Sequence, residues 1–169
     1  MCLGSTAMST QPATHPSNER VARALREGGA AGEVRRLSES TRTAQEAADA
    51  LGVPVGAIVK SLVFTADDAP LLVLASGDHQ VDTTKIAAAL GAEKVRRADA
   101  DTVRAATGYP IGGVAPVAHP QPLRTIVDSH LASYPQLWAA AGTPDSVFPT
   151  SYDELVRLTG GSPTEVAAG

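Results

Sequence analysis

Two periodicities of apolar and polar positions alternate along this chain. Val21, Ala22 and Leu25 recur at helical spacing behind Asn18, a residue able to cap a first helix that Gly28-Gly29 ends. Residues 34–38 fit a short strand. Thr43-Ala44-Gln45-Glu46 has capping-box spacing and predicts a helix to Leu51, with Gly52 as its stop. Residues 58–65 and 71–76 are rich in Val, Ile and Leu. Ala66-Asp67-Asp68-Ala69-Pro70 separates them, which predicts a hairpin. Asp82 caps a helix to Leu90, closed by Gly91, and residues 94–97 form a short strand. Asp99 caps a further helix closed by Gly108. The stretch YPIGGVAPVAHPQP, residues 109–122, holds too much Gly and Pro for a regular element. Strands follow at 123–128 and 137–141. Ser151-Tyr152-Asp153-Glu154 is a second capping box, opening a last helix to Leu158 before Gly160. There is no internal repeat and no strict βαβ alternation, so the pattern predicts one α+β domain with a mixed sheet.

The stretch LGVPVGAIVKSLVF, residues 51–64, supports two opposed readings. In a helix–turn–helix, the residues from Pro54 would open a DNA-reading helix. Such a helix needs polar side chains near its start to reach base edges. Pro54-Val55-Gly56-Ala57-Ile58-Val59 offers none, and Val, Ile and Gly disfavour a helix. As a strand, Ile58, Lys60, Leu62 and Phe64 share one face, and Val59, Ser61, Val63 and Thr65 the other. Lys60 then interrupts an apolar stripe. Either it snorkels to water at a strand end, or it has a functional partner.

Composition narrows the classes. The 169 residues suffice for one domain with a core that is mainly aliphatic, because only 4% are aromatic. A net charge of -4 argues against gripping long nucleic acid by phosphate contacts alone, and leaves room for contact with an RNA end. The single cysteine, Cys2, allows no disulfide framework within the chain, which suits a reducing cytoplasm. No apolar run reaches membrane-spanning length. Residues 1–17 read as a disordered leader without signal-peptide features, residues 18–160 as the folded domain, and residues 161–169 as a flexible tail.

Candidate chemistry is sparse. Gly112-Gly113, stiffened by Pro110 and Pro116, could bring backbone N–H groups close to an anion or a developing oxyanion. Gly-Gly alone is more often an ordinary turn. Neither a nucleophile elbow nor a nucleotide-binding glycine motif is present. His15, His79, His119 and His130 show no metal-ligand spacing. Asp128 and His130 are two candidates on one strand face, which is too few for a metal site, so neither metal nor cofactor is expected.

Taken in order, LGV–IVKSLVF, SGDHQVDTTKIAAALGAEKVRRAD, TGYPIGGVAPVAHP, IVDSHL and AGTPDSVF resemble the YbaK/ProX family of aminoacyl-tRNA deacylases. That family also occurs as the editing insertion of bacterial prolyl-tRNA synthetases. The resemblance covers residues 21–160. It implies an α+β domain with a mixed, partly barrel-like sheet flanked by helices. It also implies hydrolysis of the ester joining a wrong amino acid to the 3′-terminal adenosine of a tRNA. The family's lysine falls on Lys60, its glycine loop on Gly112, Gly113, Val114 and Pro116, and its small-residue segment on Gly142, Thr143 and Pro144. With no synthetase domains in the chain, the implied enzyme acts in trans, alone or with a synthetase partner.

Many relatives have Gly where Ala118 stands, so its methyl either narrows the pocket or sits on a backbone that prefers glycine. The expected catalytic set is Lys60, Gly112 and Gly113. Ser61, Val114, Pro116, Ala118, His119, Asp128, Gly142 and Thr143 are expected to shape a pocket for small residues of the Cys, Ala, Ser or Thr type, with tRNA(Pro) as one candidate carrier. Lys85, Lys94, Arg96, Arg97, Arg104 and Arg124 could face the acceptor stem. The rival class is a non-catalytic module holding an aminoacyl-tRNA or another small acylated ligand.

Overall fold

Capping decides where most helices begin and end. In the computed structural model, which describes residues 15–37 and 43–167, Thr43 Oγ1 accepts from Glu46 N at 3.0 Å. Glu46 Oε1 returns the bond to Thr43 N at 3.2 Å. This box opens α2 (Ala44–Leu51), and left-handed Gly52 closes it. Asp82 and Asp99 cap α3 (Thr83–Leu90) and α4 (Ala100–Thr107), with left-handed Gly91 and Gly108 behind them. Ser151 caps α5 (Tyr152–Thr159), but here the box is one-sided, because Glu154 Oε1 accepts from the Thr150 hydroxyl instead. The first helix departs from expectation. α1 (Pro16–Glu27) is capped by His15, whose Nδ1 accepts from Ser17 N. Asn18 lies inside its first turn and is fully buried. Residues 1–14 of the expected leader lie outside the described residues.

The strands are β1 (Arg35–Arg36), β2 (Ile58–Ala66), β3 (Ala69–Ser76), β4 (Val95–Arg97), β5 (Arg124–Asp128), β6 (Leu137–Ala140), β7 (Ser146–Thr150) and β8 (Ser162–Thr164). They form one mixed sheet in the order β1-β7-β6-β2-β3-β5-β8, with β4 paired to β2 off that path. β2 and β3 are the expected hairpin. Its two-residue turn, Asp67-Asp68, has both φ angles positive, the geometry that suits the twist of paired strands. The helix–turn–helix reading of residues 51–64 is thereby corrected. After Gly52 the chain makes one 3-10 turn (Val55–Ala57) and enters the sheet.

Two elements run against the pattern. β7 was hidden by Pro149, which pairs with Trp138 on β6. β1 covers the other edge of β7 only at Ser146 and Val147, so little ladder bonding is demanded where the proline lacks its N–H. The tail expected to be loose from residue 161 instead docks. β8 runs parallel to β5, Val166 is fully buried, and Val81 bridges Ala167. Lys85 Nζ donates to Ala167 O at 2.9 Å and secures the end.

Strand alternation sorts the core into two layers. Val59, Val63, Leu72 and Leu74 pack under α1, α4 and α5 against Val21, Leu25, Val103 and Leu155. Phe64, Leu71, Val73 and Ala75 face α3 through Ile86, and Ile58 with Trp138 faces α2 through Ala47 and Ala48. No helix among the described residues is long and apolar enough to cross a membrane.

Candidate active site

β2 has one complete edge and one interrupted edge. β3 pairs with it from Val59 to Ala66. On the opposite edge, β6 pairs only at Ile58 and Val59, and β4 only from Phe64 to Ala66. Between them no strand of the described residues pairs with this edge, and a cavity of about 970 Å³ opens there. Lys60 and Ser61 point to opposite faces of the sheet, yet both line this cavity because no neighbouring strand separates the faces. Arg97 and Ala98 close one end of the gap, Trp138 to Ala140 the other, and Ile111, Gly112 and Val114 come over it from the glycine loop.

Lys60 is partly buried, and its Nζ donates to the His79 carbonyl at 2.5 Å. Burial is the main influence lowering its pKa, and the Arg97 guanidinium adds to it. Asp78 and Asp128 push the other way. Both acids come from distant parts of the sequence, and only the fold brings them close. Among the described residues, Ser61 Oγ is buried without a hydrogen-bond partner.

The glycine loop is held from behind. Gly113 N donates to Pro110 O at 3.0 Å, and Gly113 is buried against Gly142 and Thr143. It does not line the cavity, so Ile111, Gly112 and Val114 are the residues of this segment that reach it. Gly112 has φ +91. Tyr109, fully buried, donates its hydroxyl to Val117 O at 3.0 Å or to Ala118 O at 3.1 Å, and burial pushes its pKa up to about 12. His119 Nε2 lies 2.8 Å from Ala115 O, and burial lowers its pKa.

Behind the loop, Asn18 Nδ2 donates to Ala141 O at 2.8 Å and to Ser146 Oγ at 2.9 Å. Thr143 Oγ1 sits 2.6 Å from Ser146 Oγ and 2.6 Å from Asp145 Oδ1. Gly142, at φ +105, leaves room for Ser17, which an added Cβ would meet at 2.9 Å.

The expected residues thus divide. Lys60, Ser61, Gly112 and Val114 share the cavity, with Pro144 at its wall. Gly113, Gly142 and Thr143 buttress it. Pro116, Ala118 and His119 line a separate cavity of about 470 Å³ with α1 and α5, so they do not shape the first pocket. Ala118 adopts φ +64, which resolves its methyl as a backbone matter rather than a narrowing of the cavity that holds Lys60. Asp128 is only 1% exposed and does not line the cavity. Of the expected basic residues, Arg97 lines the cavity and Lys94, Arg96, Arg104 and Arg124 are exposed, whereas Lys85 is engaged by the tail. Sequence patterns gave no cue to Ile111, which at 61% is the exposed large hydrophobic of the described residues and lies at the cavity mouth. Asp78, His79 and His130 cluster closely enough to be tested as a metal site. One ligand atom from each lies within 4.8 Å of the others, and the two imidazoles stack at 4.1 Å with 23° between their planes.

A family model for the aminoacyl-tRNA editing domain matches residues 38–158. The chain is 30% identical over 128 residues to a proline–tRNA ligase of Latilactobacillus sakei, covering 73% of this chain and 22% of that protein. It is 35% identical over 106 residues to the corresponding ligase of Lactobacillus helveticus, covering 63% of this chain and 19% of the ligase. The chain therefore spans about a fifth of the length of these curated relatives. Among solved structures, one described as a candidate trans-editing enzyme for prolyl tRNA synthetase superposes with a TM-score of 0.87 at 42% identity. The match covers 93% of this chain and 100% of that one. A second, the hypothetical protein APE2540, gives 0.82 at 31% identity, covering 88% and 99%. The motif order, the cleft on β2 and these matches converge: the chain belongs to the aminoacyl-tRNA editing domain family, the YbaK/ProX family.

Proposed function

We propose that the protein acts in trans to deacylate tRNA(Pro) carrying a small wrong amino acid, of the Cys, Ala, Ser or Thr type. The observation that carries this reading is the meeting of Lys60 with Gly112 and Val114 in one cavity at the open edge of β2. Full coverage of the solved trans-editing candidate favours action in trans. In hydrolysis, the nucleophile adds to the ester carbonyl and its oxygen becomes an oxyanion. N–H groups at Gly112 and Val114 receive that charge. The C–O bond to the ribose then breaks, the ribose oxygen takes a proton and the free amino acid leaves.

Lys60 acts as an ammonium that binds the terminal phosphate or ribose oxygens and so orients the ester. The nucleophile is water, or a hydroxyl of the substrate itself whose new acyl ester water then hydrolyses to the free amino acid, since no Ser–His–Asp set among the described residues lines the cavity. Ile111 offers an apolar contact for the terminal base at the mouth. Exposed Arg96 and the cavity-lining Arg97 meet phosphates at the same end. The size of the cavity sets a second sieve, because one methylene distinguishes substrates by only about 1–3 kcal/mol. The cytoplasm, where tRNA is charged, is the setting this function requires.

The decisive experiment is a deacylation panel on the purified protein. Its substrates are tRNA(Pro) charged with Cys, Ala or Ser, Ser- and Thr-mischarged tRNAs, and correctly charged controls. Selective hydrolysis of a mischarged member is expected. Hydrolysis of none would leave the chain as a module that binds the aminoacylated end without cleaving it.

A further inference from the structure

Asp128 ends β5, which β3 separates from β2, and one carboxylate there organises two separate segments. Its Oδ2 accepts from Ser76 N at 3.0 Å and lies 2.8 Å from His79 Nδ1. Its Oδ1 accepts from His130 N at 3.0 Å. The residues from Ser76 to His79 leave β3 through Gly77, where a Cβ would stand 2.3 Å from Val55 O, so this turn is closely confined. A second carboxylate braces it from outside. Asp78 Oδ1 lies 2.7 Å from Ser76 Oγ and 3.5 Å from His130 Nε2, and Asp78 Oδ2 accepts from Tyr134 OH at 3.3 Å. The product of all these bonds is the direction of one backbone carbonyl, that of His79, which holds the Lys60 ammonium.

We propose that Asp128, acting through His79, is a positioning residue for Lys60: the buried carboxylate fixes the turn whose carbonyl aims the ammonium into the cavity. This inference rests on the reading of Lys60 given above. Asp128 touches neither the cavity nor any atom expected to react. Its influence has a geometric part, through the turn, and an electrostatic part. The charged groups facing Lys60 are Arg97 from β4, Asp78 beyond β3 and Asp128 at the end of β5. His79 and His130 lie between these acids. Removing the charge at Asp128 leaves Arg97 and burial less opposed, so the ammonium of Lys60 should lose its proton at lower pH.

The test is Asp128→Asn, which keeps the shape but replaces one acceptor oxygen by a donor. Deacylation of the best mischarged tRNA in the panel should fall tenfold or more in kcat, with a smaller change in KM. The alkaline limb of its pH profile should move to lower pH. Lys60 reactivity toward an amine-selective acylating reagent, read by mass spectrometry across pH, should shift the same way. His79→Ala should also lower kcat, and His79→Asn should restore part of it, because its amide nitrogen can reach the place of Nδ1. If Asp128→Asn does not fold, the His79 pair and the Lys60 labelling profile decide. Wild-type kcat, pH profile and labelling in a folded Asp128→Asn would overturn the proposal, as would equal kcat in both His79 variants. If the parent protein cleaves no mischarged tRNA, the reading of the site fails separately, and the labelling shift still measures the coupling of Asp128 to Lys60.

Discussion

Gly113 is the position at which a single methyl group should do the most damage to the site without touching its chemistry. A Cβ there would stand 2.9 Å from Thr143 Cα, 3.0 Å from Thr143 C and 3.2 Å from Gly142 C. Non-bonded carbons rest about 3.5–4.0 Å apart, so the two loops must separate by roughly 0.5–1 Å. The obstacle is backbone, and it cannot retreat freely. Asn18 bonds Ala141 O and Ser146 Oγ on its far side, and Thr143 is tied to Ser146. Overpacking of this kind costs about 1–3 kcal/mol. At roughly 2–4 °C per kcal/mol for a domain of this size, Gly113→Ala should melt roughly 2–12 °C lower. Turnover should fall further than stability, because Gly112 and Val114 flank the displaced residue and a 1 Å misplacement can cost about 100-fold. Circular dichroism melting gives the first number. Single-turnover deacylation well below the melting temperature gives the second. Gly112→Ala is the contrast: its Cβ meets nothing within 4 Å, but φ is +91, so its penalty is conformational alone. A Gly113→Ala protein with wild-type melting and wild-type turnover would refute the steric reasoning.

Ala118→Gly should stabilise the fold. It relieves a left-handed residue of roughly 1–2 kcal/mol while adding about 0.4–1 kcal/mol of unfolded-state entropy, and a lower melting temperature would count against it. Deleting residues 162–169 should lower the melting temperature by several degrees, since burying a side chain such as Val166 is worth about 1.5–3 kcal/mol; an unchanged melt would mean that the docking of the tail contributes nothing. Lys60→Ala should lose most deacylation while staying folded. In the parent protein, activity should decline as pH rises through the lowered pKa of Lys60, because the ammonium is the working form. A rate that climbs through the same range would assign Lys60 to proton transfer instead. Deacylation efficiency should drop with added salt if Arg96 and Arg97 meet phosphates, and a flat response would remove them from the interface.

The parts of the fold that were legible in sequence are those specified locally. Thr43, Asp82, Asp99 and Ser151 cap helices by bonding their own third or second neighbours, and Gly52, Gly91, Gly108 and Gly160 end them in left-handed geometry. The β2–β3 hairpin is equally local. What was not legible depends on partners far along the chain. β7 is stabilised by β6 and β1 despite its proline, and β8 exists only because β5 offers an edge. Asn18 looked like a cap because it is an Asn near a helix start, but its amide serves residues more than a hundred positions away. The same division runs through the site. Lys60 stood out as a cation within an apolar stripe, and Gly112 as a glycine in a stiffened loop. Asp128 was singled out by its motif, but its function through His79 and Ser76 requires knowing that β3 and β5 are adjacent and parallel.

The interrupted edge of β2 explains why a lysine belongs in that stripe. A strand paired fully on both edges would bury its central side chains between the sheet and its helices, and an ammonium there would find neither water nor substrate. Because β6 and β4 stop short of each other, residues 60–62 gain access to solvent while remaining part of a rigid hairpin. The cation is therefore carried by the sheet, whereas the N–H donors come from a loop that packs on a second loop. These two halves can be disturbed independently. Substitutions in the Asn18–Ser146 buttress should misplace Gly112 and Val114 and leave the pH dependence set by Lys60 intact. Substitutions at Asp128 should move that pH dependence and leave the glycine loop in place. Combining Gly113→Ala with Asp128→Asn should give additive losses in free energy, because no shared contact links the two supports. Strong non-additivity in that double-mutant cycle would mean that the cation and the oxyanion donors are held by one structure rather than two.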